Sequence, residues 1–244
     1  MKQTIFTIQQ NIALTDSVFK MILVGDTEGI ACGQFVNLKL DGLYLRRPIS
    51  VCDCVEDKLT LIYKVVGKGT EQMSRMQAGE HIDVLTGLGN GYDLSPCGDT
   101  VCLLGGGVGV PPMYMLAKQL IKAGKQVRVI LGFNTQSEVF YENEFKALGA
   151  DVTVTTVDGS YGQKGFVTDV LNDMEYSYFY TCGPEPMLKA VYKTSRTGGQ
   201  FSFEERMGCG FGACMGCSCK TVTGYKRICK DGPVLRKEEI LWQD

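Results

Sequence analysis

The hydrophobic period of this chain changes near Asp99, and that change limits the folds open to it. Residues 1–98 alternate apolar and polar positions in short runs: "TIFTIQQNIAL", "VFKMILV", "GQFVNLKL", "RPISVCDC", "KLTLIYKVVG" and "EHIDVLTGLG". Period-2 runs bounded by Gly, Asp or Pro are strands with one buried face. A single helical stretch, "TEQMSRM" (70–76), interrupts them. Six such strands predict a small antiparallel β-barrel. After Asp99, strand-like runs ("TVCLLGGG", "QVRVILGF", "DVTVTTVD", "YSYFYTCG") alternate with helical ones at 111–124, 141–149, 165–173 and 184–195. That alternation predicts βαβ units, hence a parallel sheet covered by helices. "TGGQ" (197–200) reads as a hinge to a small C-terminal module. The expected fold is mixed β and α/β, in three parts: 1–98, 99–198 and 199–244.

Composition narrows the function classes. A net charge of −2 gives no reason to expect nucleic acid. No apolar run approaches the roughly 18–20 residues that cross a bilayer, and "MKQTIFTIQQ" reads as a strand rather than an export signal. Eleven cysteines without such a signal point to a reducing, cytoplasmic setting, where clustered cysteines are metal ligands or redox groups more often than disulfides. The chain has one histidine, His81, before a barrel strand; this argues against His-dependent catalysis and suits a structural residue.

Five cysteines fall between Cys209 and Cys229 in "ERMGCGFGACMGCSCKTVTGYKRICKDGP". Cys209-x4-Cys214-x2-Cys217 followed by a separate Cys229 matches the plant-type [2Fe–2S] pattern. Zinc modules more often present two short hooks of two ligands each. Glycines between the cysteines let backbone N–H groups reach the sulfurs. Five basic residues and no acid lie between Arg206 and Lys230, which suits a negatively charged cluster. Cys219 stands nearby as a substitute ligand or a buried thiol.

Two glycine turns end strands and open helices. "LLGGGVGVPPMY" carries Gly105, Gly106, Gly107 and Gly109, and "YTCGPEPM" carries Cys182, Gly183 and Pro184. Helix starts favour a pyrophosphate, and ligands of open α/β sheets bind at the carboxyl ends of strands. The glycines depart from G-x-G-x-x-G, since the last would fall on Val110. Glu138, Glu142 and Glu144 follow the next strand with no Lys or Arg among them, which favours NADH over NADPH. In the first half, Arg47, Pro48 and Ser50 share one strand, and Gly69-Thr70 open the short helix. Together they could hold a flavin pyrophosphate.

In this order "RRPIS", "IYK…GKGT", "GGGVGVPP" and "TCGPEPM" resemble the ferredoxin-reductase-type flavoproteins, and the cysteine-rich tail is similar to that of the electron-transfer subunits of dihydroorotate dehydrogenase B. The resemblance spans essentially the whole chain. It implies an FAD-binding barrel, an NAD-binding α/β domain and a [2Fe–2S] module. It places FAD contacts on Arg47, Pro48, Ile49, Ser50, Ile62, Tyr63, Lys64, Gly69 and Thr70. NAD contacts fall on Gly105, Gly106, Gly107, Gly109, Cys182, Gly183 and Pro184, and cluster ligands on Cys209, Cys214, Cys217 and Cys229. The gap of eleven residues before Cys229 is shorter than expected for the family. The resemblance also implies an FMN-containing catalytic partner, in a heterotetramer of two of each, that oxidises dihydroorotate to orotate in pyrimidine biosynthesis. Electrons then pass from cluster to FAD to NAD⁺ with no catalytic side chain in this subunit. The alternatives are the small subunit of an electron-bifurcating NADH-dependent ferredoxin:NADP⁺ oxidoreductase or sulfide dehydrogenase and, in another class, a non-enzymatic NADH-sensing regulator with a metal knuckle.

Overall fold

A computed structural model describes residues 1–242. Its first half is a closed antiparallel barrel of β1 (Lys2–Ala13), β2 (Val18–Val24), β3 (Phe35–Lys39), β4 (Arg47–Val55), β5 (Lys58–Lys64) and β6 (His81–Leu88), ordered β1-β2-β5-β4-β3-β6. The alternation seen in the sequence turns Phe6, Ile8, Met21, Leu23, Leu59 and Leu61 into a solvent-free interior. The predicted helix is α1 (Lys68–Arg75), between β5 and β6.

The barrel's β4–β5 ladder is short. β4 and β5 pair from Val55–Lys58 to Val51–Leu61 and then part. Beyond that point Arg47, Pro48, Ile49 and Ser50 pair only with β3, and Ile62, Tyr63 and Lys64 only with β2. The two strands diverge across an open seam.

The second half is a seven-stranded sheet. Its elements are β7 (Thr100–Gly106), α2 (Pro111–Lys122), β8 (Gln126–Phe133), α3 (Glu142–Ala147), β9 (Asp151–Thr156), β10 (Gln163–Lys164), α4 (Val167–Asn172), β11 (Tyr178–Cys182), α5 (Glu185–Thr194) and β12 (Gly199–Ser202). After the hairpin of β13 (Ser218–Thr221) and β14 (Gly224–Arg227), β15 (Val234–Arg236) returns to the sheet. The order is β10-β9-β8-β7-β11-β12-β15, parallel except for β15. From β7 the sheet grows one way to β8 and the other way to β11, so the glycine turns after β7 and β11 flank the switch point where such sheets bind ligands.

One expectation is corrected here. Residues 197–200 are no hinge: Gly199–Ser202 is a fully buried strand parallel to β11. An aromatic stack explains it, since Phe201 meets Phe179 edge-on at 5.3 Å and a Cβ on Gly199 would strike the Phe179 ring. The C-terminal segment is therefore built into the sheet at β12 and β15. The halves also lock together, through Lys118 of α2 and Asp53 of β4 (2.7 Å) and the Cys32 thiol donating to Gln119 (3.1 Å).

Candidate functional site: a flavin seam, a nucleotide crevice and paired cysteines

At the seam, Arg47 lies across the start of α1. Its guanidinium packs so closely on Gly69 that a Cβ there would come 2.0 Å from Nε. The guanidinium bonds only the carbonyls of Leu45 and Arg46 among the described residues, which leaves it a cation beside the open N–H groups of a helix start. Arg46 is engaged elsewhere, in a bidentate pair with Asp83 (2.9 and 3.0 Å). Thr70 acts locally, since its hydroxyl accepts from the Val66 N–H (2.9 Å) and closes the turn before α1. The side chains of Ile62 and Tyr63 are both buried, and Tyr63 donates to Asn11 (3.0 Å). Of the residues expected on β5, only Lys64 presents its side chain to the surface; Ile62 and Tyr63 can offer only backbone. Seam, cation and helix start together fit an anionic flavin nucleotide.

Beside the seam opens a crevice of about 710 Å³, within the size range of ligand sites. Gly106, Gly107, Gly109, Gly183 and Pro184 line it, and Ser17, Val18 and Lys64 bring in the barrel. Gly105 and Cys182 are absent from that lining. Gly105 makes room for Val110. Cys182 is 1% exposed, and burial, reinforced by the nearby Glu204 charge, pushes its thiol upward. Cys182 thus closes β11 as a buried thiol next to Gly183, which lines the crevice. Gly109 backs onto the same strand end, where a Cβ would fall 2.2 Å from the Cys182 carbonyl oxygen.

Sequence reasoning missed Glu204, which lines both this crevice and a smaller pocket beneath the tail. It stays solvent-accessible, yet the surrounding protein pushes its carboxyl up. Glu138, one of the three acids taken to favour NADH, lines the crevice. Burial raises its pKa, but the N–H groups of Asn134 and the Lys64 ammonium at 3.6 Å outweigh it and hold the carboxyl below its usual range. Glu142 and Glu144 lie outside the lining, on α3.

The cysteine loop brings four sulfurs together as two pairs. The N–H groups of Ala213 (3.2 Å) and Cys214 (3.4 Å) donate to the Cys209 sulfur, and the Cys209 N–H (3.5 Å) donates to that of Cys214. Burial alone would raise the Cys209 pKa, but these donors and the Phe211 N–H bring it down to about 6. The second pair is Cys217 and Cys229, joined by the Cys229 N–H at 3.4 Å. Burial first, and then the Cys217 thiol, push Cys229 up to about 12. The β13–β14 hairpin explains the short gap: pairing of Ser218 with Arg227 brings Cys229 back beside Cys217 in eleven residues. Among the described residues no three His, Cys, Asp or Glu side chains are gathered as the ligands of a single ion. Two sulfur pairs, each receiving N–H donors, fit a two-metal cluster. Cys219 belongs to neither pair and lines the small pocket beneath the tail. Two of the five basic residues counted in the sequence already have acid partners: Arg227 with Asp231 (3.0 Å) and Lys226 with Glu239.

Side chains of the barrel half seat the loop. Asn90 donates to the Val234 carbonyl (2.8 Å) and accepts from the Val234 N–H (3.0 Å), just past Cys229. Asn37 donates to the Cys209 carbonyl at 3.3 Å. His81 is exposed on the barrel, 3.1 Å from the Thr7 hydroxyl and away from these sites.

A split barrel, a switch-point crevice and a sulfur-lined loop in one chain define a flavin- and iron–sulfur-dependent oxidoreductase of the ferredoxin-reductase fold. A solved ferredoxin–NADP⁺ reductase from Neisseria gonorrhoeae shares that fold, with a TM-score of 0.68 at 19% identity over 80% of this chain and 90% of the other. Residues 103–193 match the oxidoreductase NAD-binding domain, and residues 204–241 match the iron–sulfur cluster binding domain of dihydroorotate dehydrogenase B. The chain is 44% identical to the dihydroorotate dehydrogenase B (NAD⁺) electron transfer subunit of Bacillus pumilus, over 98% of both chains. It is also 44% identical to that of Fusobacterium nucleatum, over 96% of both. It belongs to the family of dihydroorotate dehydrogenase B electron transfer subunits. A solved NADH-dependent reduced ferredoxin–NADP oxidoreductase is similar as well, with a TM-score of 0.90 and 31% identity over 97% of this chain and 90% of that one.

Proposed function

We infer that this chain is the electron-transfer subunit of an NAD-linked dihydroorotate dehydrogenase, carrying FAD and a [2Fe–2S] cluster and exchanging electrons with NAD. The observation that carries this reading is the pair of sulfur pairs seated on the barrel next to the open seam. When bound, the flavin supplies hydride exchange with the nicotinamide and single-electron exchange with the cluster. The chain's own residues supply positions. Arg47 and the start of α1 would hold the flavin's pyrophosphate, and the backbone of Pro48, Ile49, Ser50, Ile62 and Tyr63 would supply its partners along the seam. Gly106, Gly107, Gly109, Gly183 and Pro184 admit the dinucleotide, with Lys64 at the join. Cys209, Cys214, Cys217 and Cys229 hold the cluster. Residues 1–98, 99–198 and 199–244 fill these three roles in turn, although the last shares the sheet of the second.

The partner is the catalytic subunit; we assign it FMN, two copies of each chain, and a cytoplasmic setting. Among the described residues no helix is long and apolar enough to cross a membrane. The outer sulfur pair marks the exit: Cys214 is exposed, and Phe211 (43%) and Met215 (53%) stand uncovered around it. Cys217 and Cys229 are buried on the barrel side. Replacing Cys214 with Ser should spare NADH oxidation by a dye that accepts from the flavin and abolish transfer to the partner. Loss of dye reduction with FAD still bound would refute this electron order. The bifurcating relative supports a second reading, but at 31% against 44% identity it ranks behind. Co-purification from the native cell decides between an FMN dehydrogenase and a larger flavoprotein as partner.

A further inference from the structure

Asn37 is out of keeping with its strand. Val36 and Leu38 on either side are solvent-free core residues, and Asn37 itself is only 1% exposed. Burying an amide is costly unless both ends are bonded. Only one end is. Nδ2 donates to the Cys209 carbonyl at 3.3 Å, while Oδ1 has no donor among the described residues. The amide cannot simply be reversed, because Oδ1 would then face the Cys209 carbonyl oxygen. An orphaned buried acceptor costs about 1–3 kcal/mol, and an apolar residue of the same shape would avoid that cost. Barrel stability therefore does not explain an asparagine here.

Its position does. On β3, Asn37 lies opposite Pro48, near the start of β4, the strand that borders the seam. Pro48 has no N–H to offer, and the Asn37 carbonyl accepts from Arg46 Nη1 at 3.2 Å. On its other side the cysteine loop comes down onto the amide. A Cβ on Gly210 would fall 2.4 Å from Asn37 Nδ2, and Gly210 has φ +78°. One residue thus touches the loop with its side chain and the flavin strand through its backbone.

We propose that Asn37 is the positioning residue that sets the cluster against the flavin, with its amide fixing the Cys209 loop relative to β4. This rests on the electron-transfer reading above. Asn37→Leu keeps the branched shape and removes the donor; Asn37→Ala removes it without adding bulk. In both, FAD and iron content and dye reduction through the flavin should match the parent. Reduction of the cluster by NADH, with one electron of the delivered pair passing to the cluster and the other staying on the flavin, should slow by about tenfold or more, as expected when reacting centres drift by of order 1 Å. In the holoprotein, amides of 208–214 should exchange with solvent faster in both variants. Unchanged cluster reduction and unchanged exchange would overturn the proposal. Loss of FAD or iron from both variants would overturn it too, by making Asn37 a purely structural residue. A parent protein that binds neither FAD nor iron after anaerobic purification would instead sink the functional reading itself.

Discussion

Gly109 shows how far a single residue's role can be read from sequence. The run Gly105–Gly109 announces a tight turn, and such turns suggest phosphate. Gly107 fits that idea, with φ +52° and nothing within 4 Å of a built Cβ. Gly109 has a different reason. Its Cβ would press on the carbonyl group of Cys182, backbone of a central strand that cannot move aside. No local pattern discloses a contact between residues 73 positions apart (182 − 109). Gly109→Ala should therefore cost about 1–3 kcal/mol by overpacking, lowering Tm by about 2–4 °C per kcal/mol for a chain of this size. It should also weaken NADH binding, because β7 and β11 are forced apart beneath the crevice. Gly107→Ala finds room for its Cβ, but at φ +52° the side chain is strained by about 1–2 kcal/mol, so it should lower Tm as well, without forcing β7 and β11 apart. Thermal melts and NADH titrations of both variants check this; an unchanged Tm in Gly109→Ala would contradict it.

At the scale of elements, the seam between β4 and β5 needs its flanks held in place, and the Arg46–Asp83 pair does this from β4 to β6. Arg46 also bonds the carbonyls of Asn37 and Asp83, so it ties three strands. Burial works to raise the Asp83 pKa, but the Arg46 and Gln3 hydrogen bonds prevail and leave it below the usual carboxylate range. Since the folded-state pKa is depressed, the pair's stabilisation is present above the unfolded value of about 4 and is lost as pH falls through the folded value. In Arg46→Met the carboxylate is left part-buried without its cation, so its folded pKa rises instead. The variant should be less stable by about 1–3 kcal/mol near neutral pH, the worth of hydrogen bonds to a charged group. The deficit should shrink as pH falls below the unfolded value of about 4 and on through the parent's depressed folded value, where Asp83 loses its charge. Denaturant unfolding at several pH values tests it; a deficit that stays constant with pH would assign the loss to packing alone.

For the molecule as a whole, the change of period at Asp99 announced the barrel and the parallel sheet, because both rest on repeating local patterns. The four paired cysteines were legible from spacing alone, since a cluster loop must gather its ligands within a short stretch. The hidden parts are those made by distance. Asn37 and Asn90 seat the loop from 172 and 144 residues away. β12 was obscured by the glycines of "TGGQ", which read as a linker but give way to the Phe179 ring. β15 is three residues long and has strand form only because β12 is there to pair with it. These hidden strands bear on whether the tail is a separable module. A chain ending at residue 198 would lose β12, β15 and the hairpin. β11, buried along its whole length, would become an open edge. Phe201, Ile228, Leu235 and Ile240 would leave the core that also holds Phe179, Leu188 and Val191. At about 1.5–3 kcal/mol for each large apolar side chain, four of them approach the whole stability of a domain, about 5–15 kcal/mol. The truncated chain should therefore aggregate or exchange its sheet amides freely, and should fail to reduce dye from NADH. Three independent modules would behave differently: residues 1–198 would stay monomeric on size exclusion, keep FAD and oxidise NADH at the parent rate.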